Sequence, residues 1–241
     1  MKIFRSQLRQ ELTVMARNGE QLLLLVVVPV ILLIFFSQTD FLTTESENKI
    51  DFLMPGILGL AVMSTAMVSL GIATGFERSY GVLKRLGTTP LGTRRLVLAK
   101  VAAICVIEFA QLALLIFVGM LLGWNPSQVD LVQILVLLLI GTSCFAGIGL
   151  TLAGRLRAEI NLAAQNGLYL TLLLLGGIFV SNDELPKTLG DIAQVLPSSL
   201  LNSLLRNSFN NGELVITDAI ALCGWALSAC ALAVISFKWS D

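Results

Sequence analysis

The sequence predicts an all-α integral membrane protein, with an N-terminal interfacial amphipathic helix followed by six transmembrane helices. Hydrophobic residues make up 56% of the 241 positions and charged residues only 13%, and the mean hydropathy is +0.84. Soluble domains usually have about a quarter of their residues charged. The apolar residues also form blocks of roughly 15 to 25, which is the length needed to cross a hydrocarbon core about 30 Å thick.

Residues 1–19 are predicted to form a helix that lies along the lipid headgroups. Phe4, Leu8, Leu12 and Met15 recur at three- and four-residue spacing and therefore share one face, while the arginines lie mostly elsewhere. Anionic headgroups attract arginine, which favours the interfacial position. An ordinary soluble helical tail is the alternative.

Six spans are predicted, at residues 20–37, 52–75, 99–123, 131–153, 160–180 and 215–237. The apolar core of the first, 22–36, is only about 22 Å long, so this helix must extend into its flanks or thin the bilayer. Pro29 in its middle should kink it. The fifth span begins with polar residues, which should point into the bundle or at a partner: Asn161, Gln165 and Asn166.

The distribution of lysine and arginine predicts the orientation. If the six spans alternate, thirteen of these residues fall on one side of the membrane and three on the other. Because the basic side is normally cytoplasmic, both termini are predicted to lie in the cytoplasm.

On the opposite side of the membrane, the apolar residues of segment 181–214 repeat at helical spacing until Pro197, and a second run, Leu200–Leu205, ends at Arg206. This pattern predicts two short helices at the outer face rather than a seventh span.

The loop 76–98 between the second and third spans is the most basic one. Residues 77–86 are predicted to form a short helix, because Gly87 favours a stop and Pro90 prevents continuation. A short helix that presents apolar side chains beside positive charges suits a docking element for another protein: Val82, Leu83 and Leu86. The alternative is a basic loop that only sets the topology.

Glu108, in the third span, is the only acidic residue well inside a predicted span. An ionised carboxylate costs at least a few kcal/mol there, so the group should be protonated, paired or facing water. It is either part of a substrate path or proton site, or a structural carboxyl hydrogen-bonded to Gln111 or to a neighbouring helix's Asn or Ser.

The sequence argues against an enzyme and against an ion-driven transporter. The chain has no histidine, and its four cysteines lie in apolar blocks without metal-ligand spacing, which argues against a hydrolase or metalloenzyme. A single intramembrane acid and no paired broken helices argue against an ion-driven transporter. Glycines at four-residue spacing, such as Gly71 and Gly75 or Gly119 and Gly123, predict close helix packing within the chain or at a dimer seam.

Over nearly its whole length the chain resembles the permease subunits of type-2 ABC transporters. The order of several degenerate motifs carries the resemblance: Met54-Pro55-Gly56-Ile57, Glu77-Arg78-x-x-Gly81, Leu86-x-x-Thr89-Pro90-Leu91 with Lys100, and Leu185-Pro186, Leu196-Pro197 and Leu205-Arg206. The resemblance implies a single permease domain over residues 1–241, paired with a second copy or homologue. A separate ABC ATPase subunit would bind ATP and Mg, and membrane lipid but no nucleic acid would be a partner.

In that family the loop after the second span acts as a coupling helix on the ATPase. The resemblance assigns the ATPase contact to seven residues: Glu77, Arg78, Gly81, Leu83, Lys84, Arg85 and Leu86. It assigns a second, smaller cytoplasmic contact to Arg155, Arg157 and Glu159. The sequence lacks a Gly-rich loop ending in Gly-Lys-Ser/Thr, so the chain is not expected to be an enzyme or to bind a cofactor itself.

The expected protein is an exporter of the bacterial plasma membrane. By resemblance, the second and fifth spans of both protomers line its cavity, and the candidate substrate path is Ser64, Met67, Glu108, Asn166 and Leu170. Largely apolar spans predict an amphipathic or lipid-like substrate, such as a drug or a lipid. The alternative is a motor-free secondary transporter, channel or scaffold that uses Glu108. A membrane enzyme ranks third, because no nucleophile–base pair is visible without histidine.

Overall fold

The computed structural model is a bundle of α-helices and describes residues 2–39, 49–89, 91–126, 130–178, 186–210 and 212–237. No strand occurs within these ranges, so the all-α prediction is confirmed. The helices are α1 (Lys2–Arg17), α2 (Gly19–Gln38), α3 (Lys49–Met63), α4 (Leu70–Ser79), α5 (Val82–Gly87), α6 (Thr93–Leu121), α7 (Leu131–Ala153), α8 (Ala158–Leu175), α9 (Lys187–Val195), α10 (Pro197–Asn210) and α11 (Ile216–Ser236). A π-helical segment, Ser64–Ser69, joins α3 to α4.

Five helices of the described chain are long and apolar enough to cross a membrane: α2, the continuous helix Lys49–Ser79, α6, α7 and α11. The predicted fifth span corresponds to α8, whose 18 residues include Glu159, Asn161, Gln165 and Asn166. These polar side chains lower its hydropathy, so the prediction of six spans is confirmed for five and stays a prediction for α8.

The ends of the spans follow from local capping. The first span extends into its flanks as expected, because α2 has 20 residues and is therefore about 30 Å long. The side chain of Asn18 caps it by accepting a hydrogen bond from the backbone N–H of Gln21. Asp130 likewise accepts bonds of 3.0 and 3.1 Å from Val132 and Gln133, and α7 begins directly after it. The bounds of α7 agree with the predicted fourth span.

The predicted helix over residues 77–86 is wrong. The second span continues as α4 to Ser79, and a turn at Tyr80–Gly81 separates it from the short helix α5. Gly81 has φ +71°, a left-handed conformation that glycine adopts without the steric cost a Cβ would add. Helix α5 does end at Gly87 as predicted, and Pro90 lies outside the described residues.

Polar residues of α8 hold the second span close to α8 and α7. The amide nitrogen of Asn161 donates to the carbonyl of Gly71 at 2.9 Å, and that of Gln165 donates to Gly149 at 2.9 Å. A Cβ at Gly71 or Gly75 would overlap with these two side chains. The spacing of Gly71 and Gly75 therefore packs helices within the chain, and the prediction that the polar residues point inward is confirmed for Asn161 and Gln165.

Helix α1 packs against α6. Its residues Gln7 and Glu11 are each only 5% exposed, and the predicted apolar face beside them is half-buried. Ile3 and Val14 remain exposed on the other side. An ion pair of Glu11 with α6 holds α1 against the bundle, and the position of this helix along the headgroups stays a prediction.

The two short helices predicted for the external segment are present as α9 and α10, although Leu185 lies outside the described residues. Helix α10 continues beyond Arg206 to Asn210, because Leu201, Leu204 and Leu205 are fully buried and Phe209 extends the same face. Helix α9 instead leaves Leu189, Ile192 and Val195 exposed. Helix α10 therefore belongs to the core, whereas α9 lies on the surface of the bundle.

Candidate functional site

Helix α5 presents a basic surface at one end of the bundle. Leu83 is fully buried in a small cluster with Leu91, Leu96 and Phe237, and Leu86 packs against it. This anchor leaves Lys84 and Arg85 exposed on the opposite face. Tyr80, which was not among the predicted contact residues, is 74% exposed beside them.

Three of the seven predicted contact residues do not lie on this outer surface. Leu83 is in the anchor, and Arg78 is 4% exposed with Nη2 donating to the carbonyl of Leu156 at 2.6 Å. Glu77 accepts a hydrogen bond from Lys100. These residues position α5, and the outer surface consists of Lys84, Arg85 and the half-buried Gly81 and Leu86, together with Tyr80. The assignment of the seven residues to an ATPase contact stays a prediction.

A buried ionic triad connects three helices next to α5. The ammonium of Lys100 in α6 lies 3.0 Å from a carboxylate oxygen of Glu11 in α1 and 2.7 Å from one of Glu77 in α4. Lys100 is 1% exposed, and Gln7 donates to the second oxygen of Glu11 at 2.8 Å. Burying these charges is costly unless all three stay together, so the triad fixes α1 and the end of the second span to α6.

Glu77 and Lys100 both belong to motifs noted in the sequence, but their pairing was not predicted. The available signal was that Lys100 stands within an apolar run, where a charge requires a partner. Its partners lie 89 and 23 positions away in the chain, so only the packing of α1 and α4 identifies them.

The predicted second contact lies at the same end of the bundle. Arg155, Arg157 and Glu159 are exposed around the turn that joins α7 to α8. The bond from Arg78 to Leu156 connects this turn with the end of α4. The structure therefore brings both predicted contact surfaces together.

A cavity of about 630 Å³ lies between α2, the second span and α8. Its walls are mainly apolar, with Val28, Pro29, Phe76 and Tyr169 among them, and Gln21 and Asn166 add polar groups. The π-helical segment contributes Ser64, Val68 and Ser69. Such segments occur often at functional sites, because they change the direction in which side chains project.

Only two of the five residues predicted for the substrate path line this cavity. Ser64 and Asn166 line it, whereas Leu170 is exposed elsewhere on α8. Met67 is fully buried against Gly149. Glu108 is 3% exposed and also lies outside the cavity lining, so a role of these last three residues in a substrate path stays a prediction.

Glu108 has a structural partner on α7. The hydroxyl of Thr142 contacts one of its carboxylate oxygens and also lies 2.8 Å from the carbonyl of Leu138. The predicted pair with Gln111 is wrong, because Gln111 accepts from Thr65 at 2.7 Å and donates to the carbonyl of Leu25 at 2.6 Å. The partner on the neighbouring helix is thus a threonine rather than the expected Asn or Ser.

Comparison with known proteins gives the family. No curated protein matches the chain. A family model described as ABC-2 type transporter, the ABC-2 membrane domain, matches residues 3–210. This range covers α1 from its second residue through α10, with the basic surface, the triad and the cavity. Five apolar helices and this match make the protein a multi-pass membrane protein. The chain belongs to the ABC-2 type transporter family, as its membrane permease component.

Proposed function

We propose that the chain is the permease subunit of an ATP-driven exporter that moves an amphipathic or lipid-like substrate across the bacterial plasma membrane. Membership of the family implies an ABC ATPase as a partner in general, and the ABC-2 membrane domain does not itself carry the ATPase site. The proposal adds a second permease copy or homologue, and cytoplasmic termini. The observation that carries it is the anchored basic helix α5 beside the exposed turn of Arg155 and Arg157.

The surface of α5 has the properties of a docking element. Leu83 and the bond of Arg78 to Leu156 hold the helix in place, so few degrees of freedom are lost when a partner binds. Tyr80 and Arg85 are of the residue types that are enriched at protein interfaces. A partner with acidic residues opposite Lys84 and Arg85 would be attracted electrostatically. In the proposed complex, that partner binds ATP and Mg.

Movement of α5 would reach the cavity through two routes. One runs directly along α4 into the π-helical segment, which forms part of the cavity wall. The other passes from Glu77 through Lys100 to Glu11 and so to α1, which precedes α2 on the opposite wall. ATP-driven closure of two ATPases would thereby move both walls and switch the cavity between inward and outward access.

Charge reversal of Lys84 and Arg85 together tests this docking surface. We expect at least a tenfold loss of co-purified ABC ATPase subunit and of ATP-dependent flux in proteoliposomes, because attraction becomes repulsion at the interface. The variant should unfold at the same temperature as the native chain, since both side chains are exposed.

The matched control is the double charge reversal of Arg5 and Arg9, which are exposed on α1. This control changes the net charge equally but leaves assembly and flux intact. Normal assembly and flux in the Lys84 and Arg85 variant would contradict the docking role of α5.

The cavity supports the substrate class. Its volume of about 630 Å³ is within the range of small-molecule sites, which reach roughly 1,000 Å³. Apolar walls with a few polar groups suit a molecule that has an apolar body and a polar end. Gln21, Ser64 and Asn166 would bind that polar end.

Asn166→Leu is therefore expected to lower the flux of an amphipathic dye several-fold, with the ATPase subunit still bound. The side-chain amide bonds only within its own helix, to Leu162 at 2.9 Å, so the fold should tolerate the change. Glu108→Gln is the control, because it is nearly isosteric and lies outside the cavity. Preferential transport of a polar solute would contradict the substrate class, and proton-driven flux lost in Glu108→Gln would favour the motor-free alternative.

A further inference from the structure

A second cavity, of about 380 Å³, lies at the other end of the bundle from α5. Its lining includes Gln194, Ser203, Arg206, Asn207 and Asp218, from α9, α10 and α11. Arg206 stacks on Phe52, near the start of α3, whereas α5 follows the end of the same continuous helix at Ser79. Ser79 lies 27 positions after Phe52, which corresponds to about 40 Å along the helix, so this cavity is distinct from the first and from the basic surface. We propose that it binds the zwitterionic headgroup of a phospholipid, with the phosphate on Arg206 and the ammonium on Asp218.

Arg206 is held in place but keeps part of its binding capacity. Its guanidinium lies 3.9 Å from the centre of the Phe52 ring, and Nη2 donates to the carbonyl of Gly177 at 3.1 Å. Its Nε is buried without a hydrogen-bond partner, and among the described residues no carboxylate oxygen lies within 4.0 Å of the group. Because a guanidinium has five donors and a half-buried cation is costly without an anion, this side chain favours a ligand with a phosphate or carboxylate.

Asp218 supplies the opposite charge in the same cavity. It lies in the first turn of α11, and its Oδ2 accepts a hydrogen bond from the hydroxyl of Ser203 at 3.2 Å. A ligand with only a negative charge would be attracted by Arg206 but repelled by Asp218. A ligand with only a positive charge would be attracted by Asp218 but repelled by Arg206. A ligand that carries both charges satisfies both side chains.

The surroundings of the cavity favour a lipid as the source of this headgroup. Gln194 of α9 lines the cavity, and the same short helix exposes Leu189, Ile192 and Val195. These side chains provide an apolar surface along which acyl chains can lie while the headgroup enters the polar cavity. Phosphatidylethanolamine has the required chemistry, since its primary ammonium can donate hydrogen bonds to Asp218. The site is independent of the proposed transport cycle.

Native mass spectrometry of the detergent-purified chain tests the proposal. Phosphatidylethanolamine should bind about tenfold more tightly than phosphatidylglycerol, which lacks the ammonium, and than phosphatidylcholine, whose trimethylammonium cannot donate a hydrogen bond. Arg206→Gln should weaken all three lipids. Asp218→Asn should remove the preference and increase the binding of phosphatidylglycerol relative to phosphatidylethanolamine.

Two controls separate this result from a loss of structure. Arg157→Gln removes the same charge at the other end of the bundle and should leave the preference unchanged. Arg206→Lys keeps the cation and should retain part of the binding. General destabilisation would not change the preference for phosphatidylethanolamine over phosphatidylglycerol in the way expected for Asp218→Asn. This variant therefore tests the proposal even if Arg206→Gln does not fold.

Competition with glycerophosphoethanolamine distinguishes the two sources of the headgroup. Weak competition supports the lipid, because the acyl chains then contribute along α9. Competition at equal concentration supports the headgroup site but makes a soluble molecule its ligand, which overturns the lipid assignment. An unchanged preference in both Arg206→Gln and Asp218→Asn would overturn the site as a whole.

Discussion

Replacing Lys100 with methionine is expected to lower the free energy of unfolding by about 3–5 kcal/mol, the cost of leaving buried charges without their partner. Methionine fills a similar volume, so the loss arises from electrostatics rather than from a cavity. Glu11 and Glu77 would then face each other near the removed ammonium, with Glu11 5% exposed. Unfolding of the purified chain by increasing dodecyl sulfate, followed by circular dichroism, measures the effect.

Lys84→Met is the matched control, because Lys84 is exposed on α5 and pairs with neither carboxylate. We expect its unfolding midpoint to stay within error of the native value. The triple variant Lys100→Met, Glu11→Gln and Glu77→Gln should recover much of the lost stability, since it removes the unpaired carboxylates as well. Equal midpoints for Lys100→Met and Lys84→Met would show that the triad does not hold the helices together.

The second large effect is expected at the glycines of α7. A Cβ at Gly149 would lie 2.5 Å from the carbonyl oxygen of Met67, and one at Gly147 would lie 2.7 Å from the backbone of Ala229 and Cys230. Backbone atoms cannot rotate away as a side chain can, so α7 must shift from the second span or from α11. Each change to alanine should cost about 1–3 kcal/mol, the usual range for an overpacked core.

Gly167→Ala provides a control of the opposite sign. No atom lies within 4 Å of a Cβ at Gly167, and the residue is exposed on α8. Because alanine favours a helix by up to about 1 kcal/mol over glycine, this variant should be as stable as the native chain or more so. The same unfolding assay applies to all three variants. A destabilisation by Gly167→Ala equal to that by Gly149→Ala would mean that close helix packing is not the cause.

The helices that the sequence predicted best are those whose ends have a local cause. Helix α7 agrees with its prediction because Asp130 caps its start and its apolar block is uninterrupted. The second and third spans are longer than predicted, because charged residues extend both helices beyond the apolar blocks. Hydrophobicity locates the membrane core, but the buried ion pair with Lys100 allows the second span to continue past that core to Glu77.

The parts that could not be predicted depend on contacts distant in the chain. Residues 77–86 have good helix formers on both sides of Gly81, and glycine permits the left-handed turn there without requiring it. Burial of Leu83 depends on Phe237, more than 150 residues later. The π-helical sequence Ser-Thr-Ala-Met-Val-Ser has no local signature either. Ser64 and Asn166 were found by resemblance, and their role in transport stays a prediction.

The π-helical segment also sets the rotational phase of the second span. It accommodates one residue more than an α-helical turn would, so every position after Ser69 is turned by about 100° relative to an uninterrupted helix. Glu77 points to Lys100, and Arg78 points to Leu156, only with that offset. A shift between π and α geometry would therefore rotate the end of the span that carries α5 about the helix axis, while the Phe52 end stayed in place. The cavity wall lies where that rotation would begin.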